Sequence, residues 1–274
     1  MTGRTPIGHV TRWLAHPFTR GFEVDDPRLT LIRRHLVRHK SFLRQIYQEW
    51  YAAIMKACPV GEGPVLELGS GGGFLDECVP GLITSELQVC PHVRVVLDGQ
   101  ALPLVDGSLR AIVMIDVLHH LPESRRFLRE AARCVRHGGR VVMIEPWVSR
   151  WSSFVYSRWH HEPFEPEAER WEFPRGGPLS AANTALPWII FVRDRRQFER
   201  ECPEWRVVSI RSFMPFRYLI AGGVSMRGLM PGWTFGLWRA VEEVLAPWNE
   251  RLGMFAQIVL ERTDVEREPE RKCG

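Results

Sequence analysis

A short glycine-rich run with an acid in front of it is the segment of this sequence best suited to hold a ligand. Residues 67–73 read Glu-Leu-Gly-Ser-Gly-Gly-Gly and follow directly on apolar residues that predict a strand. Glycine lets the backbone approach a ligand closely and adopt positive φ angles. We expect the run to open a short helix, whose N-terminal N–H groups favour a carboxylate or a phosphate.

The spacing of the glycines separates two kinds of nucleotide ligand. A dinucleotide-binding loop has the pattern GxGxxG, but here Gly69 and Gly71 are followed by Phe74 where the third glycine belongs. Glu67, at the end of the predicted strand, is unfavourable beside a pyrophosphate and favourable beside an ammonium or sulfonium group. The pattern therefore favours S-adenosylmethionine, which carries both cations and a carboxylate.

Four further segments continue this pattern in chain order. They are Glu86 at the end of the second predicted strand, the run Asp98-Gly99-Gln100-Ala101-Leu102-Pro103, the run Leu118-His119-His120-Leu121, and Gly138-Gly139 followed by an apolar strand and Glu145-Pro146. Together with the glycine run, they resemble the class I S-adenosylmethionine-dependent methyltransferases over about residues 64–146. The resemblance is greatest to the methyltransferase type 11 group, which includes the quinone-biosynthesis methyltransferases.

This resemblance implies a fold and a set of binding residues. The fold is α/β and Rossmann-like, with a mostly parallel seven-stranded sheet, helices on both faces, an N-terminal helix and an inserted cap. The family holds the two ribose hydroxyls with the acid at position 86 and the adenine amino group with the acid at position 98. The expected cofactor-binding residues are Glu67, Gly69, Ser70, Gly71, Gly73, Glu86, Leu87, Asp98, Gly99, Gln100 and Asp116. The sequence departs from the family at Leu109-Arg110, at His137 and in having Glu rather than Asp at position 86.

Two histidines are the candidates for general base. His119 and His120 follow the fourth predicted strand, at the end of a parallel sheet where ligands bind, and a neutral histidine accepts a proton near pH 7. The alternative is that they cap a helix or pack in the core. The run His160-His161-Glu162 fits no standard metal-ligand spacing, so the sequence predicts no metal site.

The elements around these motifs alternate between strands and helices, which predicts a parallel sheet covered by helices. An amphipathic helix with a basic face is predicted over about 27–57, starting at Asp26-Pro27. We predict five segments: an N-terminal helical extension (1–60), the cofactor-binding half of the domain (61–146), an inserted substrate cap (147–193), the C-terminal half (194–262) and a disordered tail (263–274).

Composition limits the partners. The chain has 274 residues, a net charge of +4 and 45% hydrophobic residues, as in an ordinary globular protein. Arginines are scattered rather than clustered and no nucleic-acid motif occurs, so no nucleic-acid partner is predicted. The six cysteines form no CxxC pair, and no secretory signal or membrane span is evident, which favours a cytoplasmic protein. The oligomeric state is not predicted.

The predicted activity is in-line methyl transfer from S-adenosylmethionine to a small, hydrophobic, aromatic or lipid-like acceptor. Aromatic residues crowd the segment 147–193, where they either line an acceptor pocket or form a small core of their own. Two alternatives stay open. One is a peripheral membrane-binding protein of the same fold, using residues 27–57 and 213–238, which otherwise pack on the domain. The other is a noncatalytic S-adenosylmethionine-binding module.

Overall fold

Seven strands form one sheet. The computed structural model describes residues 16–264, except residues 20, 24, 161, 178 and 179, so most of the predicted tail lies outside the described residues. The strands are β1 (Val65–Leu68), β2 (Ile83–Glu86), β3 (Val95–Val96), β4 (Leu109–Ile115), β5 (Val135–Pro146), β6 (Trp205–Phe213) and β7 (Phe255–Arg262). Their order is β3-β2-β1-β4-β5-β7-β6. The first five are parallel, and β7 runs antiparallel between β5 and β6. The predicted fold class is confirmed.

Helices cover both faces of this sheet. They are α1 (Arg28–His39), α2 (Ser41–Ala57), α3 (Ser124–Cys134), α4 (Arg150–Trp159), α5 (Arg195–Glu201), α6 (Arg217–Ala221), α7 (Phe235–Leu245) and α8 (Asn249–Leu252). No helix in the described ranges has both the length and the apolar composition needed to cross a membrane.

The central strands are continuous apolar runs because both of their faces are buried. In β4, Ile112 and Met114 belong to the core on the α3 side, whereas Ala111 and Val113 belong to the core on the α2 side. Side chains alternate across a strand, so a strand covered on both faces needs apolar residues at every position.

The helix predicted over 27–57 is two helices. Lys40 separates α1 from α2 with an extended backbone (ψ 94°), and its Nζ donates to the carbonyl oxygens of Gly223 (2.7 Å) and Met226 (2.9 Å). Burial lowers the pKa of this lysine to about 8. The break follows from a contact with a loop about 180 residues away in sequence, which periodicity alone does not report.

The basic face of α1 makes contacts within the protein. Arg34 donates to the carbonyl oxygen of Gly73, and Arg38 pairs with Glu77. These bonds hold α1 against the glycine run. This part of the segment 27–57 packs on the domain, which was one of the two interpretations of its charge pattern.

The prediction that the glycine run opens a helix is wrong. Only a single 3-10 turn, Leu75–Glu77, follows it. Three successive glycines disfavour helix, and the N–H groups find other partners, since Gly73 N–H donates to Ser70 O and Phe74 N–H to the Tyr51 hydroxyl. The loop therefore acts through glycine geometry, not through a helix dipole.

Candidate cofactor and acceptor site

One large cavity opens at the carboxyl ends of β1, β2 and β4. Its volume is about 890 Å³, towards the upper end of the roughly 300–1,000 Å³ usual for ligand pockets. All thirteen residues predicted from the sequence as binding or catalytic line it. The roles of these residues stay predictions, but the fold brings them into one space.

Glycine is required at the rim of this cavity for two different reasons. Gly69 has a φ of +65°, and a Cβ there would lie 2.6 Å from Cγ2 of Val117. At Gly72 a Cβ would lie 2.8 Å from the backbone nitrogen of Arg34 in α1. The first glycine supplies the turn and the second lets α1 close over the run.

The acids at positions 86 and 98 differ in how their carboxylates are held, Glu86 through both oxygens and Asp98 through one. Glu86 Oε1 accepts from Gly71 N–H (2.5 Å) and its Oε2 from Leu87 N–H (3.2 Å). Burial raises the pKa of Glu86. Asp98 Oδ1 accepts from the backbone and side-chain nitrogens of Gln100 (2.8 and 3.1 Å). Its Oδ2 accepts no hydrogen bond from the described residues and stays available to a ligand in the cavity.

Two further carboxyls at the cavity favour a cationic ligand. Glu67 and Asp116 are both desolvated, and burial raises the pKa of each to about 8. Asp116 has a φ of +56°, and its buried Oδ1 has no hydrogen-bond partner. An orphaned buried carboxyl oxygen is costly, and an ammonium or sulfonium group in the cavity would compensate it. The donor set therefore fits S-adenosylmethionine.

A buried network lies behind the other end of the cavity. Glu145 Oε1 accepts from the N–H groups of Val117 and Leu118 (2.9 and 2.8 Å), and its Oε2 lies 2.7 Å from His119 Nδ1. The opposite nitrogen of the ring, Nε2, lies 3.4 Å from Oε2 of Glu162 in the cap. Burial alone would lower the pKa of His119, but the two carboxylates raise it to about 10. The ring is therefore charged at neutral pH.

The second histidine is in the opposite state. His120 Nδ1 lies 3.3 Å from the carbonyl oxygen of Ala181, and its Nε2 lies 3.7 Å from Glu162 Oε1. Burial and the neighbouring His119 lower the pKa of His120 to about 3. It is therefore neutral at pH 7, and its low pKa makes it a weak base.

Comparison with known proteins finds a known domain in the central part of the chain. Residues 66–143 match the family model described as a methyltransferase domain, and this match covers the glycine run and both candidate acids. The predicted recognition and the predicted enzyme class are confirmed.

Solved structures of methyltransferases are similar to this one at low identity. An S-adenosylmethionine-dependent methyltransferase from Thermotoga maritima is 15% identical with a TM-score of 0.46, over 85% of this chain and 99% of that one. Geranyl diphosphate C-methyltransferase from Streptomyces coelicolor A3(2) is 13% identical with a TM-score of 0.46, over 95% of this chain and 94% of that one. At these values neither likeness carries an argument about the acceptor of this methyltransferase.

Several residues that line the methyltransferase cavity are not evident from the sequence. Arg33 lines it with a buried Nε that has no hydrogen-bond partner, although its position in α1 suggests a solvated basic face. Glu162 lies in an acidic run of the cap and looks solvated in the sequence. Tyr47 and Tyr218 are separated by most of the chain. Only the tertiary structure shows these four residues together.

Some aromatic residues of the cap line the cavity, and others are buried in the core. Tyr156 and Trp159 of α4 line the cavity. Trp147 and Trp171 are buried in the core on the α3 side of the sheet, and Phe154 is 40% exposed. The cap thus contributes both a pocket wall and part of the main core, and the described part contains no separate core of its own.

Proposed function

We propose that this methyltransferase binds S-adenosylmethionine along the glycine run and transfers its methyl group to a small hydrophobic acceptor held in the same cavity. The observation that carries the proposal is the two-part lining of that cavity. Glycines and carboxyls line the side at β1 and β2, and aromatic side chains of α2, α4 and α6 line the other. Methyl transfer needs adjacent binding sites of this kind for the methyl donor and for the acceptor.

On the donor side, four acids are assigned by position and chemistry. Glu86 takes the ribose hydroxyls and Asp98 Oδ2 takes the adenine amino group, as the family resemblance implies. Glu67 and Asp116 face the cationic methionine end, where their carboxylate forms are stabilised by the ligand. The cofactor, when bound, supplies an electrophilic methyl group on a sulfonium. The protein contributes mainly position, since in-line displacement requires the two reacting atoms about 3 Å apart and aligned.

On the acceptor side, the walls are apolar with few polar groups. Tyr47, Tyr156 and Tyr218 line the cavity, and burial raises the pKa of each hydroxyl, so all three stay neutral. Arg33 adds one buried cation. This combination suits an aromatic or lipid-like molecule with one polar or anionic end.

Of the two predicted bases, the neutral one is the better candidate. His120 is neutral at pH 7 and keeps a ring lone pair, although its low pKa makes it a weak base, whereas His119 is already protonated between Glu145 and Glu162. In this assignment His119 positions Glu162 and the cap. The base would act on an oxygen or carbon acceptor that must lose a proton.

Transfer of a labelled methyl group tests the function. The protein is incubated with methyl-labelled S-adenosylmethionine and a total lipid and metabolite extract of the cells that express it, and label is counted after solvent partition. We expect label in the organic phase with the unmodified protein and at least 10-fold less with Glu86→Gln. The proposal would be overturned if no fraction contained more label with the unmodified protein than with Glu86→Gln and calorimetry showed no binding of the cofactor.

We further propose that the protein meets a lipid surface through α7 rather than through the basic face of α1. Exposed apolar residues recur at helical spacing along α7 and the turn before it: Trp233, in that turn, is 84% exposed, and Leu237 and Val244, in α7, are 66% and 72% exposed. Leu229, four residues before Trp233 in the chain, is half exposed and also lines the cavity. A hydrophobic acceptor would therefore reach the cavity directly from the surface.

Vesicle co-sedimentation tests this contact. With phosphatidylcholine–phosphatidylglycerol vesicles we expect the protein to pellet, and Leu237→Ser to lower the pelleted fraction several-fold. Val105→Ser, at an exposed valine on another surface, is the control. Equal pelleting of both variants, or none by the unmodified protein, contradicts the membrane contact and leaves methyl transfer untouched.

A further inference from the structure

Three side chains meet at the acceptor side of the cavity with their ligating atoms turned towards one another. His119 Nε2 lies 3.4 Å from Glu162 Oε2, and His120 Nε2 lies 3.7 Å from Glu162 Oε1. The three ligand atoms lie within 4.8 Å of one another. All three residues line the cavity. The ligands of a tetrahedral zinc ion with bonds of about 2.1 Å are separated by about 3.4 Å, so little movement is needed to admit an ion.

The rest of each histidine ring is arranged as it is in metal sites. Ligating histidines usually offer the other ring nitrogen to a carboxylate or a backbone carbonyl, which fixes the tautomer and raises the basicity of the ligand. Here His119 Nδ1 lies 2.7 Å from Glu145 Oε2, and His120 Nδ1 lies 3.3 Å from Ala181 O. Both rings are thus held with Nε2 facing Glu162.

We propose that His119, His120 and Glu162 bind one divalent metal ion with nitrogen and oxygen preference, such as Zn²⁺, Mn²⁺ or Fe²⁺. Two imidazoles and one carboxylate leave further coordination positions open, and the open side faces the cavity.

The proposed site differs from the local run His160-His161-Glu162 that the sequence analysis considered. The local run at residues 160–162 fits no standard spacing, whereas the fold carries Glu162 from the cap onto a histidine pair that follows β4.

A consequence for the acceptor rests on the proposed function. An ion at this position would bind an oxygen of the acceptor and favour its deprotonated form. The two histidines would then be ligands and not bases. The acceptor class becomes a hydrophobic molecule with an oxygen donor, such as a phenol or an acid.

Titration of the full chain with Zn²⁺ tests the site without any acceptor or methyl donor. After dialysis against a chelator, we expect calorimetry to show one Zn²⁺ per chain. Glu162→Gln should weaken binding by more than about 100-fold, and Glu145→Gln, which alters only the partner of a ligand, by about 10- to 100-fold. Glu167→Gln and His137→Gln, at exposed positions, are the matched controls and should bind as the unmodified protein does.

Two measurements keep each outcome interpretable. Thermal unfolding of every variant shows that it folds, and X-ray absorption of the zinc-loaded protein should count two or more imidazole ligands. No saturable Zn²⁺ binding, or binding that Glu162→Gln leaves unchanged, overturns the proposal. Titration of S-adenosylmethionine into the same samples distinguishes failure of the metal site from failure of the proposed function. Cofactor binding without zinc binding rejects the metal site alone, and zinc binding without cofactor binding rejects the proposed function alone.

Discussion

Replacing Glu86 by glutamine changes one atom of the assigned ribose contact and little else. In the structure Glu86 Oε1 accepts from Gly71 N–H at 2.5 Å, and Oε2 from Leu87 N–H at 3.2 Å. A glutamine can keep the first bond through its amide oxygen. Its NH₂ group then stands where Oε2 was, and it can accept neither from Leu87 nor from a ribose hydroxyl.

The loss in affinity follows from that single exchange. A hydrogen bond to a charged group contributes about 1.5–3 kcal/mol, and about 1.4 kcal/mol corresponds to a factor of ten. Glu86→Gln should therefore weaken S-adenosylmethionine binding by about 10- to 150-fold. Two N–H groups already hold the carboxylate in place, so no reorganisation offsets the loss.

Isothermal titration calorimetry with two ligands gives the test its specificity. S-adenosylmethionine and S-adenosylhomocysteine share the ribose, so Glu86→Gln should weaken both by the same factor. Glu169→Gln, at an exposed acid of the cap, is the control. A change below about threefold for both ligands, in a variant with unaltered thermal unfolding, would refute the assignment of Glu86 to the sugar.

Three further substitutions test the neighbouring groups. Asp98→Asn should weaken cofactor binding by about tenfold or more in the same calorimetric assay, because its Oδ2 is the available acceptor for the adenine amino group; unchanged affinity would contradict that role. Burial raises the pKa of Glu67 to about 8 from its ordinary 4.5, so the stability contributed by the protonated form is complete below about pH 4.5 and is lost as pH rises through about 8. Melting temperatures of the ligand-free protein should show this loss, and Glu67→Gln should remove it; an identical pH profile for both proteins would refute it. Gly69→Ala adds a Cβ 2.6 Å from Val117 at a φ of +65°, and it should lower the free energy of unfolding by about 2–4 kcal/mol in denaturant titrations. The control is Gly138→Ala, which has a φ of +70° but open space around the new Cβ and should lower the free energy of unfolding by only about 1–2 kcal/mol. Equal losses would show that the close approach to Val117 has no effect.

The motifs near the sheet were predictable because their signals are local. Strand β1, the glycine run and Asp98 lie within a few tens of residues, and parallel strands place their carboxyl ends at one edge. The sequence therefore predicts well which residues near β1 and β2 line the cavity. The helix expected after the glycine run is the exception, because glycine propensity and the hydrogen bonds of the loop both disfavour a helix there.

The acceptor half depends on contacts between distant segments. Lys40 breaks a helix through carbonyls of residues 223 and 226, and Glu162 reaches two histidines more than 40 residues earlier. In the sequence both side chains look like solvated charges. Burial of a charge is a property of the assembled fold, so no pattern within a single segment predicts it.

A crystal structure of the protein with S-adenosylhomocysteine tests the central claim most directly. We predict density for the nucleoside along residues 69–73, with the ribose hydroxyls on Glu86 and the adenine amino group on Asp98 Oδ2. A nucleoside bound elsewhere, or bound there with neither acid in hydrogen-bonding distance, would contradict the account.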